Sequence, residues 1–429
     1  MDFSPLLAVK NLVISTLIES DNVNLVDQLT FELLPSEILS IVGESGSGKS
    51  ITAKSILGLL PKNFSVSGEI KYHERDLVSS DEKVMLHIRG HEIGLVFQEP
   101  MTALNPVLSV GEQLTESMII SGKANSKLAY DLALEMLNRV GIPYPKERMK
   151  QFPHEFSGGM RQRILIAMTM LLEPNLLIAD EPTTALDVTI QAQILGLLSE
   201  LVKENKMSMI LITHDMGVVA QTADRVLVMK EGKKVEEGVV EEIFANAKAD
   251  YTKELLASVP QLKSNPSSQI FVPNSNLISI ENLSKSFTKN TFFSKKKISV
   301  NALENVNLEI GYGEIVSLVG ESGSGKSTLG RILLKLTDPD SGTIKIDGLN
   351  FLSNKSADQK RFRSTIQIIF QDPYSSLDPK RTIGYSISEP LFIQNELSKK
   401  IIDDKVCHLL TSVGLDPNSA KRYPHEFSG

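Results

Sequence analysis

The stretch Gly43-Glu44-Ser45-Gly46-Ser47-Gly48-Lys49-Ser50 decides the fold of this chain. It has the spacing of a P-loop, in which a glycine and four free positions precede Gly-Lys-Ser. The apolar run at residues 38–42 predicts a buried strand before the loop, and residues 51–60 predict a helix after it. A strand, a glycine loop and a helix N-terminus are the context that the motif requires. The sequence therefore predicts a phosphate-binding loop here.

Each part of this loop has a physical role in binding a phosphate chain. Glycines let the backbone curl so that several N–H groups point inward. The helix N-terminus adds about half a positive charge. We expect Lys49 to contact the outer phosphates and the Ser50 hydroxyl to bind Mg²⁺. The predicted ligands are therefore a phosphate chain and Mg²⁺.

The same eight residues return later in the chain, so the sequence contains an internal repeat. The second copy follows another apolar run, residues 315–319, which predicts another strand. Phe97-Gln98-Glu99-Pro100 returns as Phe370-Gln371-Asp372-Pro373, and residues 152–158 return as residues 423–429. The offsets of 277, 273 and 271 residues shrink slowly, as expected for a duplicated domain with a few deletions. The second candidate ATP-binding set is Gly320, Glu321, Ser322, Gly323, Ser324, Gly325, Lys326, Ser327 and Thr328.

Composition limits the class of protein. At 429 residues the chain is too long for one ordinary core. Its 45 Lys and Arg residues against 52 Asp and Glu give a net charge of −7, which argues against a general nucleic-acid binder. A single cysteine, Cys407, excludes a disulfide framework and fits a reducing cytoplasm. No apolar run approaches the ~20 residues that span a bilayer, and the N-terminus lacks the pattern of a signal peptide.

Two halves and a linker are predicted. Residues 1–259 form the first domain, residues 260–276 a linker rich in Pro and Ser, and residues 277–429 the second domain. Alternating apolar strands and helices in the first domain predict a parallel α/β sheet, preceded by an antiparallel entry sheet. The predicted strands are residues 6–15, 26–34, 38–42, 93–97, 176–179, 209–213 and 225–229, and the predicted helical segments include residues 51–60, 110–140 and 190–203. A further helix is predicted to be capped by Ser157, to run through Arg161, Ile164, Ala167 and Met170, and to end at Glu173-Pro174-Asn175.

Polar residues at the ends of two strands and at the start of one helix are candidates for catalysis or ligand binding. Asp180 and Glu181 follow a buried strand, where Asp180 can bind Mg²⁺ and Glu181 can orient or deprotonate water. His214 ends another strand, at the sheet edge where ligands of α/β proteins bind. Ser157 and its glycines begin a helix and form a second anion site. From the residues alone, Asp180 could instead cap a helix, Glu181 could be a surface acid, and His214 could be structural.

Together, these motifs and their order resemble the ABC transporter superfamily over almost the whole chain. The resemblance implies tandem P-loop NTPase domains with a RecA-like parallel sheet and antiparallel and helical subdomains, the second domain incomplete. It makes Gln98 and Gln371 the glutamine loops, both with a role in Mg²⁺ binding, Gln98 also in catalysis and Gln371 also in ATP binding. It makes His214 the γ-phosphate sensor and residues 185–187 the D-loop. The signature motif comprises Ser157, Gly158, Gly159, Met160, Arg161 and Gln162, with Met160 where the general pattern has Gln.

Two positions depart from the family pattern. The family stacks adenine on an aromatic residue of an early strand, a place that Phe287 takes in the second half and Thr16 in the first. Tyr72 or another residue could substitute for the missing ring. Ile51 replaces the common Thr after Gly-Lys-Ser, which removes one hydroxyl contact to the α-phosphate.

Residues 97–106, 180–188 and 251–256 resemble the oligopeptide and dipeptide importer branch of the superfamily, including fused ATPases of microcin or oligopeptide import. The resemblance implies a peripheral ATP hydrolase at the cytoplasmic face of the inner membrane, energising uptake of peptides or a peptide-like solute such as glutathione. The implied partners are two membrane permeases near Gln98 and Gln371 and a periplasmic or surface solute-binding protein, without nucleic acid. Nucleotide domains of the family pair head-to-tail, because each signature serves the opposite domain's ATP.

Two other classes of twin ATPase share these motifs. Ribosome-binding factors carry a long charged helical linker, unlike residues 260–276, and DNA-repair ATPases carry zinc cysteines or long coiled coils. The second half also stops about 100 residues before the equivalent end of the first half, without a Walker B acid or switch histidine. We therefore expect incomplete intramolecular sites, low ATPase activity for the chain as given, and exposed apolar surface in the second half.

Overall fold

The structure, a computed structural model, divides into two compact units, Met1–Pro266 and Ser267–Gly429. The described residues are 4–18, 21–97, 103–183, 187–259, 275–289, 298–321, 323–352, 362, 365–370, 376–394 and 398–427. Gln98, Gln371, Ser322 and the D-loop residues Ala185 and Leu186 lie outside these ranges.

Unit one consists of two sheets with helices packed around them. Its strands are β1 (Leu7–Ile18), β2 (Asp21–Leu33), β3 (Ile38–Val42), β4 (Phe64–Tyr72), β5 (Arg75–Asp76), β6 (Ile93–Val96), β7 (Leu176–Asp180), β8 (Ser208–Thr213), β9 (Arg225–Lys230) and β10 (Lys233–Val239). Its helices are α1 (Lys49–Ile56), α2 (Glu82–His91), α3 (Val110–Ile120), α4 (Ser126–Arg139), α5 (Pro145–Arg148), α6 (Gly158–Met170), α7 (Val188–Glu204), α8 (Met216–Thr222), α9 (Val240–Asn246) and α10 (Asp250–Ala257), with a 3-10 turn at Pro153–Glu155.

The larger sheet has the strand order β10-β9-β3-β8-β7-β6, and the prediction of a parallel α/β sheet is confirmed. Strand β3 pairs in parallel with β8 and β9, whereas β10 closes one edge in antiparallel orientation. Every residue of β3, β7 and β8 is buried. Such uninterrupted apolar runs are typical of parallel strands that are covered on both faces.

Side chains of these strands alternate between two hydrophobic cores. In β7, Leu177 and Ala179 face the core formed with α3, α4, α6 and α7. Leu176 and Ile178 face the core formed with α1 and the antiparallel sheet. This period of two follows from strand geometry, and it holds the sheet between two apolar layers. The carboxyl ends of the strands are therefore rigidly supported from both sides.

The smaller sheet of unit one is antiparallel, with the order β2-β1-β4-β5, and the entry sheet predicted from residues 6–15 and 26–34 is confirmed. Strand β4 and helix α2 are not among the predicted elements. In β4, Phe64, Val66, Ile70 and Tyr72 alternate with polar residues, but the turn signals Pro61 and Gly68 obscured this alternation. Helix α2 is interrupted near its end, where Arg89 and Gly90 leave helical geometry, so its periodicity is short.

Unit two repeats the entry sheet. Its strands β11 (Asn276–Lys289), β12 (Ile298–Gly311), β13 (Ser341–Ile346) and β14 (Leu349–Asn350) have the order β12-β11-β13-β14. Asn282 in β11 and Asn11 in β1 both have positive φ, 51° and 49°, at equivalent irregularities of the two sheets. Its helices are α11 (Lys326–Leu333), α12 (Ile383–Gln394) and α13 (Lys399–Ser412), with 3-10 turns at Pro417–Lys421 and Pro424–Glu426.

The strand predicted at residues 315–319 is not formed. Ile315 is 95% exposed and Val319 is 90% exposed, whereas all of β3 in unit one is buried. Strand β3 is buried because β8 and β9 flank it, and no strand in the described part of unit two pairs with residues 315–319. The expected exposure of apolar side chains in the second half is confirmed for these residues. Among the described helices, none has the length and apolar character needed to cross a bilayer.

Candidate functional site

The first P-loop connects β3 to α1, as predicted. Gly43 has φ 155°, and a Cβ on it would lie 2.1 Å from the carbonyl oxygen of Met229. Gly48 has φ 96°, and a Cβ there would lie 2.9 Å from the carbonyl oxygen of Leu25. Both contacts are shorter than a real side chain tolerates, so glycine is required at each position. The loop is thus packed tightly between the end of β3 and the neighbouring backbone.

Lys49 lies inside the loop that precedes it. Its Nζ donates hydrogen bonds to the carbonyl oxygens of Gly43 at 2.7 Å and Glu44 at 2.8 Å, and to Ser47 Oγ at 3.3 Å. The residue is only 4% exposed. Burial lowers the pKa of Lys49, and the nearby carboxylates of Glu181, Asp180 and Glu44 act in the opposite direction. The result is a buried cation at the centre of a loop of glycines.

Asp180 meets the first turn of α1. Its Oδ1 accepts a hydrogen bond from Ser50 Oγ at 2.8 Å, although the two residues are 130 positions apart. Burial raises the pKa of Asp180, partly opposed by the Ser50 hydrogen bond. A hydroxyl and a carboxylate oxygen are ligands of the type that Mg²⁺ prefers. The pair therefore fits a Mg²⁺ site, and a cation there would relieve the cost of the buried carboxylate.

Glu181 and His214 lie beside this pair. His214 Nδ1 is 3.5 Å from Glu181 Oε1. The Glu181 side chain is 15% exposed, so it is not a freely solvated surface acid, whereas the His214 side chain is 64% exposed. Glu181 has φ 43°, and its N–H donates to the carbonyl oxygen of Ile212 at 3.0 Å. This bond across to β8 directs the chain away from the sheet directly after Asp180.

The signature residues begin α6, and Ser157 caps the helix as predicted: its Oγ accepts a hydrogen bond from the Met160 N–H at 3.4 Å. Ser157 and Gly158 are exposed, whereas Gln162 is buried and Met160 packs against the core of the helical region. The Arg161 Nε donates to the carbonyl oxygen of Pro153 at 2.8 Å. Within the motif, exposure is therefore greatest at its start, Ser157 and Gly158.

The second P-loop has the same internal contacts. Lys326 Nζ donates to the carbonyl oxygens of Gly320 at 2.6 Å and Glu321 at 2.8 Å, and to Ser324 Oγ at 3.3 Å. Lys326 is partly exposed, unlike Lys49. Ser327 is exposed, and no carboxylate in the described part of unit two accepts a hydrogen bond from its hydroxyl. Gly323, Gly325 and Thr328 complete the described part of this loop and its helix start.

Phe287 and Thr16 occupy equivalent positions of the two entry sheets, but their surroundings differ. Phe287 is 47% exposed and available for stacking, with Lys285 Nζ 5.7 Å from its ring centroid. Thr16 is 7% exposed, and its hydroxyl donates to the carbonyl oxygen of Asn63. Tyr72 does not replace the missing ring, because it is buried opposite Leu7, at the other end of β1. Ile51 is partly buried against the sheet-side core.

The turn between β9 and β10 also supports the first P-loop, which the sequence analysis did not predict. The Gly232 N–H donates to the carbonyl oxygen of Ser47 at 3.1 Å. Gly232 has φ 76°, as a tight hairpin requires. Four of the seven residues of β10 are charged, so the alternation of apolar and polar residues that predicts a strand is missing there. The Glu231-Gly232 pair between two short runs was the available turn signal.

Asp180→Asn is expected to raise the melting temperature of the nucleotide-free and metal-free protein at pH 8 more than at pH 5. Because folding raises the Asp180 pKa, its stabilising contribution is present below the unfolded pKa of about 3.9 and is lost as pH rises through the folded pKa. Asparagine removes the charge but keeps the shape. Thermal melts in EDTA at both pH values measure the effect, with the exposed Asp131→Asn as control. A pH-independent difference for Asp180→Asn would contradict this account.

The sequence matches a known protein family and several named proteins. The ABC transporter family matches residues 26–184 and 303–429. The chain is 42% identical to the glutathione import ATP-binding protein GsiA of Pectobacterium atrosepticum, over 98% of this chain and 73% of that protein. It is 43% identical to the protein of the same name from Escherichia coli K12, over 100% of this chain and 74% of that protein.

Solved structures agree with these matches. A dimeric bacterial ABC transporter cassette, MJ0796, superposes with a TM-score of 0.50 at 27% identity, covering 55% of this chain and 98% of the cassette. The same cassette in a dimeric post-hydrolysis state, bound to ADP and Pi, gives the same values. The chain therefore belongs to the ABC transporter family, as an ATP-binding and ATP-hydrolysing subunit.

Proposed function

We propose that this chain binds Mg²⁺ and ATP at the first P-loop and uses their hydrolysis to energise import of a peptide or a peptide-like solute such as glutathione. The main support for this nucleotide site is the hydrogen bond between Ser50 Oγ and Asp180 Oδ1, at 2.8 Å. It joins the P-loop helix to the end of β7 and leaves Glu181 and His214 immediately beside them. The names of the relatives at 42–44% identity support the solute class.

Each residue of the site has a role that follows from its position. Lys49 and the N–H groups at the start of α1 bind the phosphate chain. Ser50 and Asp180 hold Mg²⁺, with Gln98 proposed as a further ligand. Mg²⁺ held by these residues would neutralise charge on the phosphate oxygens. The second site uses Lys326, Ser327 and Gln371 in the same way, with Phe287 stacking on adenine.

Glu181 is placed to act on the attacking water. Its carboxylate is mostly buried beside the Mg²⁺ pair, where it can orient the water and accept its proton. His214 is 3.5 Å away through Nδ1, so it can hold that carboxylate in position. The exposed side chain of His214 can at the same time reach the terminal phosphate. This arrangement is consistent with a general base and an orienting histidine.

The coupling to transport requires other chains. We propose that two membrane permeases dock near Gln98 and Gln371 and that a solute-binding protein acts outside the membrane. Docking on the permeases would place the chain peripherally at the cytoplasmic face. In a head-to-tail pair of domains, the exposed first residues of the signature motif, Ser157 and Gly158, would contact the nucleotide of the opposing domain. The solved cassettes that resemble this chain are dimeric, which supports pairing of nucleotide domains.

Lys49→Ala is expected to weaken ATP binding at the first site by at least about tenfold. A charged hydrogen-bonding group contributes about 1.5–3 kcal/mol, and 1.4 kcal/mol is tenfold in affinity. The measurement is titration calorimetry with ATP and Mg²⁺, in a chain that carries Lys326→Ala to disable the second site. Lys62→Ala, in an exposed loop, is the matched control. Parent-like affinity for Lys49→Ala would remove this lysine from the phosphate site.

Glu181→Gln is expected to lower the hydrolysis rate by about 10²- to 10⁴-fold while ATP affinity stays close to that of the parent. Loss of a general base affects turnover and leaves ground-state binding largely intact. Phosphate release is to be measured with ATP binding on the same samples, in an assembly with measurable parent activity. Glu200→Gln, on the exposed face of α7, controls for loss of charge. Parent-like turnover in Glu181→Gln would show that the glutamate has no catalytic role.

The importer assignment predicts that the tagged chain, purified from gently solubilised membranes of its native cells, carries two membrane proteins with it. Addition of glutathione and its binding protein should then stimulate ATP hydrolysis by that assembly. Recovery of ribosomes or DNA in place of membrane proteins would refute the transport assignment and favour the other twin-ATPase classes.

A further inference from the structure

A tyrosine from the last helix of unit one reaches the first P-loop. Tyr251 lies in the first turn of α10 and is 8% exposed. Its ring packs in a cluster that includes Val42, the residue before the P-loop, and Val228 of β9. Its hydroxyl oxygen accepts a hydrogen bond from the Glu44 N–H at 3.1 Å. A side chain 207 positions away therefore contacts the backbone of the loop.

The bonded N–H belongs to the same peptide group that contacts Lys49. The Glu44 N–H and the Gly43 carbonyl are the two polar ends of one planar unit, and they point in opposite directions. The carbonyl end accepts from Lys49 Nζ at 2.7 Å, and the N–H end donates to Tyr251. Because the unit is rigid, rotation at one end displaces the other. The tyrosine hydroxyl thus limits where the lysine ammonium can lie.

The position of Tyr251 is itself set by the edge strands of the large sheet. Lys230, at the end of β9, places its Nζ 4.6 Å from the centroid of the tyrosine ring. Glu236 of β10 accepts hydrogen bonds from the N–H groups of Lys248 at 2.8 Å and Ala249 at 3.1 Å, immediately before α10. The helix start is therefore attached to the sheet, and the hydroxyl cannot follow the loop if the loop moves.

We infer that Tyr251 is a positioning residue for ATP binding at the first site, acting through the Gly43–Glu44 peptide on Lys49. The inference rests on the proposed role of Lys49 at the phosphate chain. It assigns the helix after the large sheet a function in the nucleotide site. The second P-loop has the same lysine contacts.

Tyr251→Phe tests the inference, because it removes the hydroxyl and keeps the ring packing and the contact with Lys230. In the Lys326→Ala chain, this variant is expected to weaken binding of ATP with Mg²⁺ by about two- to tenfold, the range of one hydrogen bond. Amide hydrogen exchange without nucleotide should become faster at Glu44. Tyr130→Phe, on the partly exposed α4 surface, is the matched control and should change neither quantity.

Two further variants separate the outcomes. If Tyr251→Leu weakens ATP binding while Tyr251→Phe matches the parent in affinity and in Glu44 exchange, the tyrosine acts only by packing and the inference is overturned. If Lys49→Ala weakens binding but Tyr251→Phe does not, the phosphate site stands and the positioning role fails. If Lys49→Ala keeps parent affinity, the proposed function of the loop fails. The proposed action of Tyr251 on ATP binding then fails with it, whatever the exchange rate at Glu44.

Discussion

The parallel pairing of β3, β8 and β7 is the constraint on which the site depends. In this register Val42 lies beside Thr213, and Asp180 lies beside Ile212. Because parallel strands point the same way, their carboxyl ends form one edge, and the P-loop, Asp180 and His214 all follow strands that end there. Residues far apart in the chain become neighbours without any local sequence signal for that contact. The two apolar layers on either face of the sheet hold this edge in place.

Buried charge at this edge is costly for folding and useful for binding. Burial shifts the pKa of Asp180 upward and that of Lys49 downward, so each group is less favourable in its charged form than it would be in water. A bound cation near Asp180 and bound phosphates near Lys49 would compensate these costs. The site is in this sense prepared for a ligand that carries both charges, as a complex of Mg²⁺ and a nucleotide does. Stability given up in the free protein is recovered on binding.

The duplication allows one sequence to be compared in two surroundings. Both P-loops have the same glycines at positive φ and the same three lysine contacts, with distances that agree within 0.1 Å. The segments before the two loops differ: residues 38–42 are a buried central strand, whereas Ile315, Leu318 and Val319 are exposed. The loop conformation is therefore local, whereas the strand before it depends on partners. An apolar run predicts a strand only where neighbouring strands are present to accept its hydrogen bonds.

The sequence by itself determined the P-loops, the capping of α6 by Ser157, the buried runs of the large sheet and the family, because each depends on residue types at short spacing. It did not determine β4, β10 or α2. The turn signals Pro61 and Gly68 obscured the alternation of β4, charged residues fill β10, and α2 leaves helical geometry near its end. Tertiary structure alone decided three contacts. Ser50 contacts Asp180, Tyr72 of β4 lies opposite the end of β1 that is far from Thr16, and Tyr251 contacts the Gly43–Glu44 peptide. These contacts join residues that the order of strands in the sheet brings together. Because that order is a property of the packed fold, it leaves no pattern in any short stretch of the chain.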